Sequence, residues 1–324
     1  MAAKRTEPAA DGRRAQQQPP HTRRRKPTLS IIGAGRLGTA LAIALDRCGY
    51  RIEALVARRL GHARRAASLI RGGTLALTAK QLALLPPSDL LFITTPDDAV
   101  LSSARDLAAT VSIGSRQRRT ALHTSGALSS TVLSPLHEAG FHVGSMHPLV
   151  SVSDPLSGAE SLQEAFYCVE GDASAVRAAR AIVRSLGGQS FSINTEDKAL
   201  YHAAAVMSSG HVVALIDIAI EMLVGCGLTP SRARSVLMPL LRSTLENLSA
   251  LEPADALTGT FARADIATVR SHLRALREHS PHEALAAYRL LGQRSLRLAE
   301  KKGMDATALK AITLTLKDDD GSES

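Results

Sequence analysis

The chain has 324 residues, 45% of them apolar and only 3% aromatic, with no Trp. That is enough apolar material for two cores of ordinary domain size, built from Ala, Leu, Val and Ile. The net charge of +9 is uneven: eight Lys/Arg face Glu7 and Asp11 within residues 1–27, while one Lys faces four acids within 317–324. The body between them is mildly basic, which suits a polyanionic small molecule and makes nucleic acid an unlikely partner.

Residues 1–27, rich in Pro, Gln, Ala and Arg, show no apolar periodicity and read as a disordered basic tail. Arg23-Arg-Arg-Lys26 before an apolar run imitates an export signal, but cleavage there would remove the motif that follows. In that motif, Leu29–Ile32 is a short apolar run, Gly33-Ala-Gly35-Arg-Leu-Gly38 is a glycine turn, and Leu37, Ala40, Leu41, Ala44 and Leu45 repeat at helical spacing. Strand, tight turn and helix N-terminus in this order are what a dinucleotide-binding unit needs. Gly33 permits the turn, Gly35 lets backbone approach a pyrophosphate, and Gly38 lets helix pack on strand. Free N–H groups of the first helical turn, from Arg36, Leu37 and Gly38, would hold the phosphates.

A second strand is expected over 51–57, ending at Arg58-Arg59. NAD-preferring sites place an acid there for the ribose 2′-hydroxyl. Two guanidinium groups would instead clamp a 2′-phosphate, so NADP(H) is preferred and NAD(H) possible. Asp89-Leu-Leu-Phe-Ile-Thr-Thr95-Pro96, Arg119-Thr-Ala-Leu-His123-Thr-Ser125-Gly126 and His142-Val-Gly-Ser-Met-His147-Pro148 read as strands that deliver polar side chains to their C-terminal ends. That is the edge where open α/β sheets bind ligands. Strands at 166–170 and 189–193 bracket a helix over 174–186 and extend the sheet. After Asn194 only helical patterns remain, over 196–224, 230–251, 264–278, 281–301 and 305–316.

The first of these helices carries Lys198, His202, Ala205 and Ser209 at offsets that share one face. A proton donor is needed beside a carbonyl or imine that accepts hydride. Lys198 could serve if buried, with His202 assisting one turn on; the alternative is a solvent-facing Lys and a satisfied His. His123, His147 and His202 lack local ligand spacing and an accompanying carboxylate, so no metal is expected. Ser125 lies outside a Gly-x-Ser-x-Gly elbow, which favours hydrogen bonding to substrate or nicotinamide over nucleophilic attack. Arg263, in the loop from Leu257 to Asp265, could hold a substrate carboxylate; alternatively Asp265 caps the next helix and Arg263 faces solvent. His123 and Ser209 complete the expected substrate contacts.

With these residues in view, the chain resembles bacterial Rossmann-like oxidoreductases fused to a helical domain of unknown function. They are distant relatives of pyrroline-5-carboxylate reductase, ketopantoate reductase and prephenate dehydrogenase. The resemblance rests on the glycine turn, Thr95-Pro96-Asp97, His123-Thr-Ser125-Gly126-Ala127, His147-Pro148-Leu149, Lys198-Ala-Leu-Tyr201-His202 and Thr258-Gly259 with Arg263 and Asp265. It implies an NADP-linked oxidoreductase, often dimeric through its helical domain. Gly210 and Thr260 depart from the pattern, where similar proteins tend to carry Asn and Pro, and Gly210 shifts weight to Lys198 with His202. The combined expectation is an α/β chain: a Rossmann dinucleotide-binding domain over 28–194, an all-α substrate and dimerisation domain over 195–316, and short tails. The expected function is cytoplasmic, NADPH-linked reduction of a small keto or imino acid by a homodimer. The alternative is a nucleotide-binding sensor or scaffold without turnover.

Overall fold

The computed structural model describes residues 25–110 and 119–317. Of the two expected tails, only 25–27 and Lys317 fall inside that range. The chain divides into two compact units, Met1–Tyr201 and His202–Ser324.

The first unit is an eight-stranded sheet in the order β3-β2-β1-β4-β5-β6-β7-β8. The chain runs β1 (Leu29–Ile32), α1 (Arg36–Arg47), β2 (Ile52–Ala57), α2 (Leu60–Ala67), β3 (Leu75–Thr78), β4 (Leu90–Ile93), α3 (Asp97–Thr110) and β5 (Thr120–His123). It continues through α4 (Ser134–Glu138), β6 (His142–Pro148), α5 (Pro155–Ser161), β7 (Phe166–Gly171), α6 (Ala173–Ser185) and β8 (Gln189–Phe191). The pairings are parallel except β6 with β7, where the sheet reverses. Continuous apolar runs such as Leu29–Ile32 and Leu90–Ile93 are fully buried, as expected for strands covered on both faces. One face carries Leu29, Ile31, Phe92, Leu122, Met146 and Val169 against α1, α5 and α6. The other carries Ile32, Leu91, Ile93, Ala121 and Val143 with Val100, Ala104 and Leu107 of α3 and Leu136 of α4. In α1 every residue from Gly38 to Leu45 is buried, because small Ala and Gly positions let it sit tightly among its neighbours.

The single helix expected over 196–224 is not formed. A short 3-10 turn, Thr195–Asp197, leads into α7 (Lys198–Ser208), and α8 (Gly210–Gly225) follows after a break at Ser209 (φ −129°, ψ −74°). Ser208-Ser209-Gly210 is a run of poor helix formers. The Ser208 hydroxyl donates back to the Ala205 carbonyl at 3.1 Å, a local bond that competes with continued helix. The apolar periodicity was right and the local chemistry broke it.

Within the second unit α9 (Pro230–Ala250), α10 (Pro253–Ala256), α11 (Ile266–His279), α12 (His282–Lys301) and α13 (Ala306–Lys317) follow α8. Its core is small: Val269, Leu273, Leu296, Ile312 and Leu316 with Phe261 and Tyr288. The helix expected from residue 264 starts later, since Ala264 has φ +52° and Asp265 caps α11 by accepting the Thr268 N–H at 3.1 Å. No residue of α8 is buried, and Val213 and Leu240 stand 71% and 65% exposed. No membrane partner is expected from the sequence, where His211, Asp217 and Glu221 interrupt the most apolar stretch, yet by length and composition alone Thr195–Gly225 would pass for a membrane span.

Candidate functional site

The glycine turn begins the site. β1 ends at Ile32, and the N–H groups of Gly33 and Ala34 both donate to the Val56 carbonyl, at 2.9 and 2.8 Å. Gly33 has φ +110°, and a Cβ there would lie 2.7 Å from backbone atoms of Thr94 and Thr95. A Cβ on Gly38 would collide with the Gly33 carbonyl oxygen and Thr94 Oγ1. At Gly35, the N-cap of α1, the nearest atom to such a Cβ is 3.9 Å away. Two glycines are therefore required by packing, while the third leaves space over the helix N-terminus. The first helical bond from outside that turn is Thr39 N–H to the Gly35 carbonyl at 3.0 Å. The N–H groups of Arg36, Leu37 and Gly38 precede it and have no intrahelical acceptor.

A cavity of about 440 Å³ opens beside this turn. Gly33, Ala34 and Gly35 form one end, Thr94, Thr95 and Pro96 another, and Arg58 and His62 the side at the end of β2. Thr95 Oγ1 is buried without a hydrogen-bond partner among the described residues. A hydroxyl in that state is stabilised by a polar occupant. The open Gly35 cradle, the free helix N-terminus and this hydroxyl fit a dinucleotide. Arg58 and Arg36 are exposed, and Arg59 is the N-cap of α2.

A polar row crosses the opposite end of the same sheet edge. In the strand register His123 pairs with Ser145, and Ser145 pairs with Glu170. Paired residues share a face, so the three stand side by side where neighbouring positions are apolar. Glu170 accepts the Ser130 N–H at 2.9 Å and the Ser130 hydroxyl at 2.6 Å. Lys198, 1% exposed, enters from α7 and donates to Ser145 Oγ at 2.7 Å and Glu170 Oε1 at 3.2 Å. Lys198 is the one buried residue of α7, and its ammonium is already engaged. Burial is the condition set for its acting as a donor, but its hydrogen-bond partners are Ser145 and Glu170. An isolated charge could not be buried there, so Glu170 and Lys198 require one another.

His123 is fully buried, and its Nδ1 accepts the Ser125 N–H at 3.2 Å. Burial, then the charge of Lys198, pushes its pKa down to about 3, against a smaller opposing effect of the Ser129 carbonyl. The imidazole stays neutral across the physiological range. Ser125 Oγ accepts the N–H groups of Ala127 and Leu128 at 3.2 and 3.0 Å, so it closes its own turn. His147 and Tyr201 form the more open part. Tyr201, one turn along α7 from Lys198, lies with its hydroxyl 2.6 Å from His147 Nδ1, and the rings meet edge to face with centroids 5.5 Å apart. Burial, followed by the neighbouring Cys168, raises the Tyr201 pKa above its ordinary value, so the phenol keeps its proton.

His202, Ser209 and Arg263 belong to the second unit. Ser209 forms the exposed break between α7 and α8, and Arg263 is exposed beside a cavity of about 340 Å³ shared with Lys302 and Asp305. Among the described residues no group of three or more His, Cys, Asp or Glu side chains is placed to hold a metal. Sequence reasoning missed Glu170, Ser130, Tyr201 and His62. A carboxylate inside the apolar run Tyr167-Cys-Val-Glu170 was a usable signal, because such a group needs a buried partner. Tyr201 stands three residues from Lys198, hence on the same helical face.

The fold and the glycine turn define a Rossmann-like α/β domain followed by a helical one. Residues 14–148 match the Rossmann-like domain, and residues 165–295 match the domain of unknown function DUF2520, so the chain joins these two. The protein TM1727 from Thermotoga maritima is similar in structure at 23% identity, with a TM-score of 0.65 over 85% of this chain and 99% of that one. A predicted NADP oxidoreductase, BF3122 from Bacteroides fragilis, gives 24% identity and 0.66 over the same shares. The reductive aminase from Aspergillus terreus, in complex with NADPH and ethyl levulinate, gives 17% and 0.60 over 89% of this chain and 99% of that one. At these identities the likeness speaks for the fold. No curated protein matches the sequence significantly.

Proposed function

We propose that this protein is a cytoplasmic NADP(H)-dependent oxidoreductase acting on a small keto or imino acid. The observation that carries the reading is the cavity between the glycine turn and Arg58, with a buried unpartnered Thr95 hydroxyl and no carboxylate at the end of β2. The structurally similar reductive aminase from Aspergillus terreus is in complex with NADPH, and the protein from Bacteroides fragilis is a predicted NADP oxidoreductase, which supports it. Bound NADPH would supply hydride to the substrate. Arg36, Leu37 and Gly38 would hold the pyrophosphate by N–H groups, Arg58 with Arg59 the 2′-phosphate, and Thr95 with Pro96 the ribose nearer the nicotinamide. His123, Ser209 and Arg263 are kept as candidate substrate contacts, and His202 as the assisting group.

Lys198 is assigned to positioning, because it anchors α7 on Glu170 and Ser145. The proton donor in this reading is Tyr201, a protonated phenol with His147 behind it to replace the proton. NADPH should bind more tightly than NADH by calorimetry, and a panel of keto acids and imines should yield at least one substrate that oxidises it. Tyr201→Phe should then lower turnover by roughly tenfold or more with NADPH affinity intact. Tighter NADH binding would overturn the cofactor assignment, and unchanged turnover would remove Tyr201. The engagement of Lys198 and Ser125 in the protein's own structure favours a second reading, a nucleotide-binding sensor or scaffold. It predicts NADPH binding with no oxidation by any member of the panel.

The same reading includes a homodimer through the helical domain. Helix α8 is mostly apolar, interrupted by His211, Asp217 and Glu221, yet none of its residues is fully buried, which a chain standing alone in water rarely sustains. Sedimentation should give twice the chain mass, and Val213→Glu with Leu240→Glu should shift it to the single-chain value. A wild-type monomer at micromolar concentration would rule out this assembly.

A further inference from the structure

The cavity beside the glycine turn contains a donor that the β2 motif does not announce. His62 lies in the first turn of α2 and lines the cavity together with Arg58. The other charged group in the lining is Asp98, on α3 after the Thr95-Pro96 segment. Around His62 the charge is one-sided: Arg58 and Arg59 precede α2, Arg64 and Arg65 lie within it, and α2 has no acid in its first turn. Strand β3, which packs on α2, reads Leu-Ala-Leu-Thr and brings no countercharge. Arg58 and His62 together line a cavity that also holds a buried, unpartnered Thr95 hydroxyl, and such a pair of donors is complementary to an anionic ligand that also offers hydroxyl groups.

We propose that His62 is a specificity-determining contact for the 2′-phosphate of NADP(H), shared with Arg58. This rests on the nucleotide reading above and extends it to a residue outside the β2 motif. The chemistry suits the role, since an imidazole offers an N–H donor to a phosphate oxygen in either neutral tautomer and two when protonated. Arg58 supplies a planar fork and His62 a single directed donor from the adjacent helix. A ribose bearing only a 2′-hydroxyl would engage neither strongly.

Titration calorimetry on the full-length protein tests this with NADPH and NADH, and with 2′,5′-ADP and 5′-ADP as probes lacking the nicotinamide. For His62→Ala, NADPH and 2′,5′-ADP should each weaken roughly tenfold, while NADH and 5′-ADP stay within about twofold of wild type. His62→Gln, which keeps an N–H donor, should recover part of the loss. Equal weakening of phosphorylated and unphosphorylated probes would overturn the proposal in favour of packing against adenine. No weakening of any probe would overturn it outright. If wild type binds none of the four, the nucleotide reading itself fails, a result distinct from a normal wild type beside an unaffected His62→Ala.

Discussion

Gly38→Ala should abolish measurable NADPH binding and destabilise the first unit by about 2–4 kcal/mol. The added methyl has nowhere to go. It would meet the Gly33 carbonyl oxygen and Thr94 Oγ1, and that hydroxyl already donates to the same carbonyl at 2.7 Å. Relief requires α1 to move away from β1. Yet α1 is buried from Gly38 through Leu45 and packs on α5, so the shift would open voids in the larger core. Movement of the turn would also displace the N–H groups expected to hold the pyrophosphate. Gly35→Ala is the control, because its Cβ would find no atom within 3.8 Å and nearest contact at 3.9 Å. It should fold normally and lose affinity alone. Thermal unfolding with calorimetry separates the two, and a Gly38→Ala protein of wild-type stability would refute the packing argument.

Glu170→Ala should lower stability by roughly 3–5 kcal/mol, because it leaves the Lys198 ammonium buried without its counter-ion. It also strips the Ser130 N–H and hydroxyl of their acceptor. For a unit of this size the midpoint of thermal unfolding should fall by roughly 10 °C. The double variant Glu170→Leu with Lys198→Met removes both charges and restores apolar volume, so it should recover much of the loss. Failure of the double variant to improve on Glu170→Ala would mean that the charges are not the cause. Because Tyr201 follows Lys198 by three residues on α7, the single variant should also loosen the Tyr201–His147 pair. The His147 ring resonances would report this directly, without any turnover assay.

The contrast between these two sites shows how much was readable in advance. The glycine turn is local. Its strand, its turn and its helix are consecutive, so the motif is legible even though the atoms that bar a side chain at Gly33 and Gly38 include those of Thr94 and Thr95. The buried strands and the second helical half followed from composition and periodicity in the same way. The Lys198 site is not local. Its members come from β5, β6, β7, the turn before α4 and the start of α7, and only strand register sets Ser145 beside Glu170. Helical spacing put Lys198 in a row with His202, Ala205 and Ser209, but the helix breaks at Ser209, and spacing had no means of naming the buried partners of Lys198.

From the residues alone came the dinucleotide-type α/β half, the helical half that follows, and the glycine turn with basic residues after the second strand. Short-range sterics and hydrophobic period are written into consecutive positions, so they survive without coordinates. Tertiary structure alone decided that Lys198 is a buried anchor, that Glu170 answers its charge, that Tyr201 meets His147, and that the long helix breaks at Ser209. Those outcomes depend on which distant side chains share a low-dielectric interior, where an unpaired charge or donor is too costly to leave alone.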